Sequence, residues 1–152
     1  LEGRLTIVTI RSLESRDVES VLAIQAACPE IAQWTAWDYD RVARGEMAGW
    51  AAAKAAEVAG FLVARRLSSE IEILNFAVES DSRRCGIGAA LLREALRWAQ
   101  TFQATQAILE VRASNLSALR FYERHKFEVV GRRPRYYTAP VEDALLLTAT
   151  LT

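Results

Sequence analysis

The chain has 152 residues, enough for one hydrophobic core, and its 51% hydrophobic and 25% charged content is that of an ordinary globular protein. Its 19 basic and 19 acidic side chains cancel, which excludes nucleic-acid binding through bulk positive charge while allowing a local basic pocket. Cys28, Cys85 and the single histidine, His125, give neither a zinc-ligand spacing nor a disulfide scaffold, so no metal and a reducing, cytoplasmic compartment are expected.

In chain order, residues 5–10 are β-branched and apolar and predict a first strand. Ser15 or Asp17 is placed to cap a helix reaching Ala27, with Val18, Val21, Leu22 and Ile24 inward and Pro29 ending it. A short amphipathic helix is predicted over 37–47. Strands follow over 50–55, 58–67 and 71–78, the first of them alanine-rich but paired with the second as a hairpin. A long helix over 88–102 carries Leu91, Leu92, Ala95, Leu96 and Ala99 on one face. Then come a strand over 105–112, a helix over 115–125, and strands over 127–131 and 144–151. This order reads as one domain over 1–152, an α/β (α+β) protein with helices on the faces of a mixed sheet. No apolar run of about 18 residues predicts a membrane span. The N-terminus has no signal-peptide pattern.

The most informative stretch is Asn75 to Leu92, a strand, a polar turn and Arg83-Arg84-Cys85-Gly86-Ile87-Gly88 leading into a helix. The first N–H groups of a helix lack internal partners and the helix dipole favours negative charge there, so such a junction suits an anion. Glycines at 86 and 88 allow close backbone approach, and the two arginines add charge-assisted hydrogen bonds. The glycine spacing matches neither a nucleoside triphosphate loop nor a dinucleotide fingerprint. A plain tight turn with surface arginines fits the same spacing equally.

Glu110 is an acid embedded in the apolar strand Ile108-Leu109-Glu110-Val111-Arg112, the arrangement of a candidate general base. A solvent-facing Glu110 paired with Arg112 is the competing reading. Ser114 or Asn115 can cap the next helix, on which Asn115, Ala118 and Tyr122 form one stripe facing a groove. Tyr122 also fits an ordinary core aromatic.

Together, the 75–92 segment, Leu109-Glu110-Val111-Arg112-Ala113-Ser114-Asn115 and Phe121-Tyr122 resemble the GNAT N-acetyltransferases. The similarity is strongest over 71–131, and within the superfamily it is greatest to the bacterial ribosomal-protein-alanine N-acetyltransferases. The resemblance implies a mostly antiparallel central sheet flanked by helices. It implies acetyl-coenzyme A (CoA) as cosubstrate, held by Phe76, Ala77 and Val78, by the loop Arg83, Arg84, Cys85, Gly86, Ile87, Gly88 and Ala89, and by Asn115, Ala118 and Tyr122. Glu110 is implied as base and Tyr122 as acid to the departing thiolate. The implied partner is a protein or peptide N-terminus, without nucleic acid or membrane. Trp34 and Trp37, or alternatively the core, take the connection where family members bind the acceptor. Tyr136 and Tyr137 fall in a loop over 132–140 that is one residue longer than the family's. Lys126 stands where the family often has a glycine, and His125 reads as a helix-end residue favoured by the dipole.

Overall fold

The computed structural model describes residues 7–83 and 86–151. Arg84 and Cys85, and residues 5–6 of the first predicted strand, lie outside the described residues.

The strands β1 (Val8–Ser12), β2 (Ala48–Lys54), β3 (Glu57–Leu67), β4 (Glu70–Val78), β5 (Gln106–Arg112), β6 (Glu128–Thr138) and β7 (Val141–Thr150) form a seven-stranded sheet in the order β1-β2-β3-β4-β5-β7-β6. Neighbours are antiparallel except β4 and β5, which are parallel. The helices are α1 (Val18–Ala26), α2 (Ala36–Ala43), α3 (Ile87–Gln100) and α4 (Leu116–Arg124). The mixed α/β architecture expected from the sequence is thus the one observed.

Period-two alternation gives the sheet two apolar faces. On β3, Leu62 and Ala64 join the core under α3 with Leu91, Leu92, Ala95 and Ala99, while Phe61 and Val63 join Val21, Ile24, Tyr39 and Val42 under α1 and α2. Each fully buried leucine contributes roughly 1.5–3 kcal/mol. The alanine-rich segment is strand, as expected, and turns into β3 through Ala55 and Ala56, both with positive φ (52° and 75°).

Two irregularities shape the site. In β4 the register jumps from Ile73↔Ala64 to Asn75↔Val63, leaving Leu74 as the extra residue of a bulge. The bulge switches faces: Ile71 and Ile73 pack under α3, whereas Ala77 packs on the α1–α2 side. The parallel partners β4 and β5 pair only at Glu70↔Gln106, Ile71↔Ala107 and Glu72↔Ile108. Beyond that point the strands diverge and the sheet opens.

Several expected boundaries move. Residues 15–17 form a single 3-10 turn, and Asp17 stands at the N-cap position of α1 without a side-chain cap hydrogen bond to it: its carboxylate accepts from Arg11 at 2.7 and 2.9 Å and from the Glu14 N–H at 2.8 Å. The second helix starts at Ala36, one residue ahead of the predicted start, because Thr35 caps it and Asp38 reciprocates to the Thr35 N–H. The greatest change is β6, which runs through Pro134 to Thr138 where a loop was expected. A bulge spans 134–136, opposite Asp143, which accepts from the Arg135 N–H (3.0 Å) and from Arg132. Among the described residues no helix is long and apolar enough to cross a membrane.

Candidate active site

The opening between β4 and β5 is a cleft of about 1350 Å³. Its floor is formed by the diverging strands, one wall by the start of α3 and by α4, and the other by residues 28–34 and the β6–β7 hairpin. Past Glu72 and Ile108 the backbone groups that face across the gap have no strand partner, which leaves donors and acceptors for an extended ligand.

The α3 end of the cleft begins at Gly86, whose φ of +79° is left-handed. A Cβ there would meet nothing within 4 Å, so glycine is required by the dihedral rather than by crowding. At Gly88 the reason differs: a Cβ would sit 3.2 Å from the Phe121 ring, so this glycine lets α3 and α4 approach. No side chain among the described residues caps α3, and its first turn carries no acid. Its leading N–H groups are therefore available to an anion. Arg83 lines this end but is already engaged, donating from Nε to the Val78 carbonyl (3.1 Å) and from its terminal nitrogen to Cys28 Sγ (3.3 Å). Ile87 does not face the cleft; its side chain is buried in the core.

Helix α4 starts because Asn115 Oδ1 accepts the Ala118 N–H at 3.3 Å. Asn115 is thus the cap, leaving only its amide nitrogen to reach a ligand, while Ala118 lines the cleft beside it. Arg120, Arg124 and His125 continue the wall as a basic edge. His125 stands at the C-cap of α4, where burial lowers its pKa below the ordinary value and the charges of Arg124 and Arg93 add to this. Lys126 takes the left-handed conformation (φ 70°) that a glycine would hold more cheaply, by roughly 1 kcal/mol.

Tyr122 is buried, packed edge-on against Phe76 and Phe127, and lines the cleft. Burial raises its phenol well above the usual value, and among the described residues its hydroxyl has no hydrogen-bond partner. It is both a core aromatic and a cleft residue, so the two readings from sequence are not exclusive.

Glu110 also lines the cleft. It does not pair with Arg112: that guanidinium bridges to Glu142 (3.2 Å), donates to the Pro140 and Ala139 carbonyls, and lies 4.3 Å over the Tyr137 ring. Glu110 Oε2 instead stands 2.8 Å from Arg133 Nε. By distance this is an ion pair, yet the same buried oxygen accepts no hydrogen bond among the described residues. The Arg133 N–H is directed past the oxygen, so the contact is an ion pair without a hydrogen bond. Burial and the Glu110 charge push the Tyr137 phenol up to about 12.

Of the expected acceptor residues, Trp34, Tyr136 and Tyr137 line the cleft. Trp37 does not: it is 62% exposed under the Arg44 guanidinium. Sequence reasoning missed Asn75, Tyr39 and Gln25, which tie residues 32–34 to β4. A buried asparagine in an apolar strand was the available signal.

A model of the acetyltransferase (GNAT) family matches residues 10–127. The N-alpha-acetyltransferase of Sulfurisphaera tokodaii is 30% identical over 156 residues, covering 93% of this chain and 92% of its own length. The crystal structure of the ribosomal-protein-S18-alanine N-acetyltransferase from Escherichia coli superposes with a TM-score of 0.84 at 26% identity, over 96% of this chain and 95% of that one. Ard1 from Thermoplasma volcanium gives a TM-score of 0.84 at 30% identity, over 95% and 98%.

Proposed function

Because this chain belongs to the acetyltransferase (GNAT) family, and is therefore an acetyl-CoA-dependent N-acetyltransferase, we propose that it acetylates the α-amine of a protein N-terminus, with Glu110 as base and Tyr122 as acid. The observation that carries this reading is that a buried carboxylate oxygen without a hydrogen-bond partner among the described residues lines the same cleft as the Tyr122 phenol.

The cleft fits the cosubstrate. The uncapped N-terminus of α3, with Gly86, Gly88 and Ala89, suits a pyrophosphate, and the guanidinium groups of Arg120 and Arg124 suit further phosphate. Arg83, with Arg84 and Cys85 next to it in sequence, precedes this helix start, and Ile87 contributes its backbone N–H. The edge of β4 at Phe76, Ala77 and Val78, paired with β3 on one side and without a strand partner on the side of β5, suits an amide-bearing arm, beside Asn115 and Ala118. When bound, acetyl-CoA supplies an acetyl thioester.

The chain's own residues do the rest. An α-amine has an unperturbed pKa of roughly 8, so at neutral pH it arrives mostly as an ammonium. Glu110 receives that proton, directly or through a water. Tyr122 keeps its proton at neutral pH because burial disfavours the phenolate. It gives that proton to the leaving sulfur. One C–N bond forms and one C–S bond breaks; the nitrogen releases its second proton to solvent as it becomes an amide, and solvent takes the proton from Glu110 and returns one to Tyr122. A β4 backbone N–H facing the gap serves the developing oxyanion.

An N-terminus as acceptor is supported by the two relatives above whose names specify that chemistry. Ile31 to Trp34 and Tyr136 to Ala139 line the same cleft and are placed to meet an acceptor. The test is acetyl transfer to peptides with a free N-terminal alanine against the same peptides blocked at the N-terminus but carrying lysine. Efficient acetylation of the blocked lysine peptides overturns the assignment.

A further inference from the structure

Glu110 Oε2 is the one buried side-chain oxygen or nitrogen without a hydrogen-bond partner among the described residues. Leaving a buried carboxylate oxygen in that state is unfavourable, and such an atom marks a place built for a donor. The neighbour that stands there is Arg133, with Nε at 2.8 Å and its N–H not aimed at the oxygen.

Arg133 arrives from a distance. It pairs with Ala144 on β7 while Glu110 pairs with Leu146, so its side chain crosses β7 diagonally to reach β5. It is 56% exposed against 21% for Glu110. Its guanidinium also lies 5.7 Å over the ring of Tyr136, a cleft residue, and the bulge over 134–136 follows immediately. A cation this exposed returns to water readily, because water replaces most of what it gives up.

We propose that Arg133 is a displaceable counter-ion: it occupies the place of the acceptor ammonium on Glu110 and yields to it on binding. The inference rests on the reading of Glu110 as the base. The incoming ammonium brings donors that can be aimed at Oε2, which the guanidinium does not achieve. After transfer the nitrogen is a neutral amide with no charge to hold, and Arg133 returns to the carboxylate. Arg133 therefore discriminates substrate from product without touching the reacting bond. It is a positioning residue.

The experiment measures calorimetric affinity, with CoA saturating and no turnover, for a free N-terminal peptide and for its acetylated form. Arg133→Gln is expected to tighten the free peptide by up to about fivefold, the value of a mostly exposed ion pair, and to leave the acetylated peptide unchanged. Arg133→Lys, which keeps the charge, is expected to restore the wild-type ratio of the two affinities. In a Glu110→Gln background the gain should vanish, since no carboxylate remains to compete for. A free-peptide affinity that stays level or weakens, equal changes for both peptides, or a gain that survives Glu110→Gln each overturns the proposal. Turnover of Glu110→Gln alone decides the base assignment separately: full activity there refutes the base, while the affinities still decide the counter-ion.

Discussion

The side-chain amide of Asn75 donates to the Tyr39 hydroxyl at 2.8 Å and to the Ala32 carbonyl at 3.0 Å, joining β4 to the chain between α1 and α2. Tyr39 in turn donates to Gln25 Oε1, and Gln25 holds both the N–H and the carbonyl of Trp34. Every member is buried or bonded to backbone, so loss of one hydroxyl leaves two amide groups short of a partner. Tyr39→Phe is expected to destabilise by about 1–2 kcal/mol and to lower Tm by roughly 2–8 °C at this chain length. Because residues 31–34 form a wall of the cleft, KM for the acceptor should rise while CoA affinity holds. Thermal melts together with steady-state kinetics check both.

Acid stability follows from Asp17. Burial pushes its carboxyl up, but the Arg11 hydrogen bonds, the Glu14 N–H and the charges of Arg11 and Arg16 outweigh burial and hold it below the usual range. A depressed folded-state pKa means stability that is fully present above the unfolded value, about 3.9. That stability is lost as pH falls through the folded value. Asp17→Asn should therefore lower stability at pH 7 by about 2 kcal/mol. Denaturant midpoints of the variant and the wild type should converge as pH drops below about 4, and a gap that persists there contradicts the assignment.

The two loop glycines separate by mechanism. Gly86 needs its positive φ, so Gly86→Ala strains the backbone by about 1–2 kcal/mol and tilts the α3 N–H groups, weakening CoA without crowding anything. Gly88→Ala instead pushes on the Phe121 ring, with a Cβ contact of 3.2 Å. It should lower Tm more than Gly86→Ala does. Calorimetric CoA titration paired with melting curves distinguishes them.

What the sequence made legible is what local rules determine. The glycine turn before α3, the Asn115 cap and the alternation along β4 and β5 each need only residues a few positions apart. Arg133 on Glu110, Arg112 on Glu142, and Asn75 on Tyr39 join residues 23, 30 and 36 positions apart in sequence, and no periodicity encodes such pairs. The β6 strand was hidden for a different reason. Pro134 argues against a strand interior, but β6 is an edge strand and Pro134 sits at the bulge opposite Asp143, where no ladder bond is lost. The Leu74 bulge likewise reverses which residues of β4 face which core, and only the pairing register reveals it.

Tyr122→Phe isolates proton donation. The hydroxyl has no protein partner among the described residues, so removing it should change stability by less than about 1 kcal/mol and leave CoA affinity intact. Turnover should fall by about 10²–10⁴-fold, the range of general acid catalysis. Full activity in the Phe variant reduces Tyr122 to a packing residue against Phe76 and Phe127.

Glu110→Gln is the decisive substitution for the proposed chemistry. Glutamine keeps the size of the side chain and can still meet Arg133, but it takes no proton. Because Glu110 lies on β5 and not at the α3 N-terminus, CoA affinity should be nearly unchanged while turnover at saturating cosubstrate drops. The acceptor amine then sets the pH profile. Below its pKa of roughly 8 the variant has no group to remove the proton and should be least active. Above it, free amine is present without help and part of the rate should return. The wild type should be less steep over the same interval, since its carboxylate supplies the base at lower pH. A variant as active as the wild type at pH 7, or one whose deficit is the same at pH 7 and pH 9 (about one unit either side of the amine's pKa), removes Glu110 from the proton path.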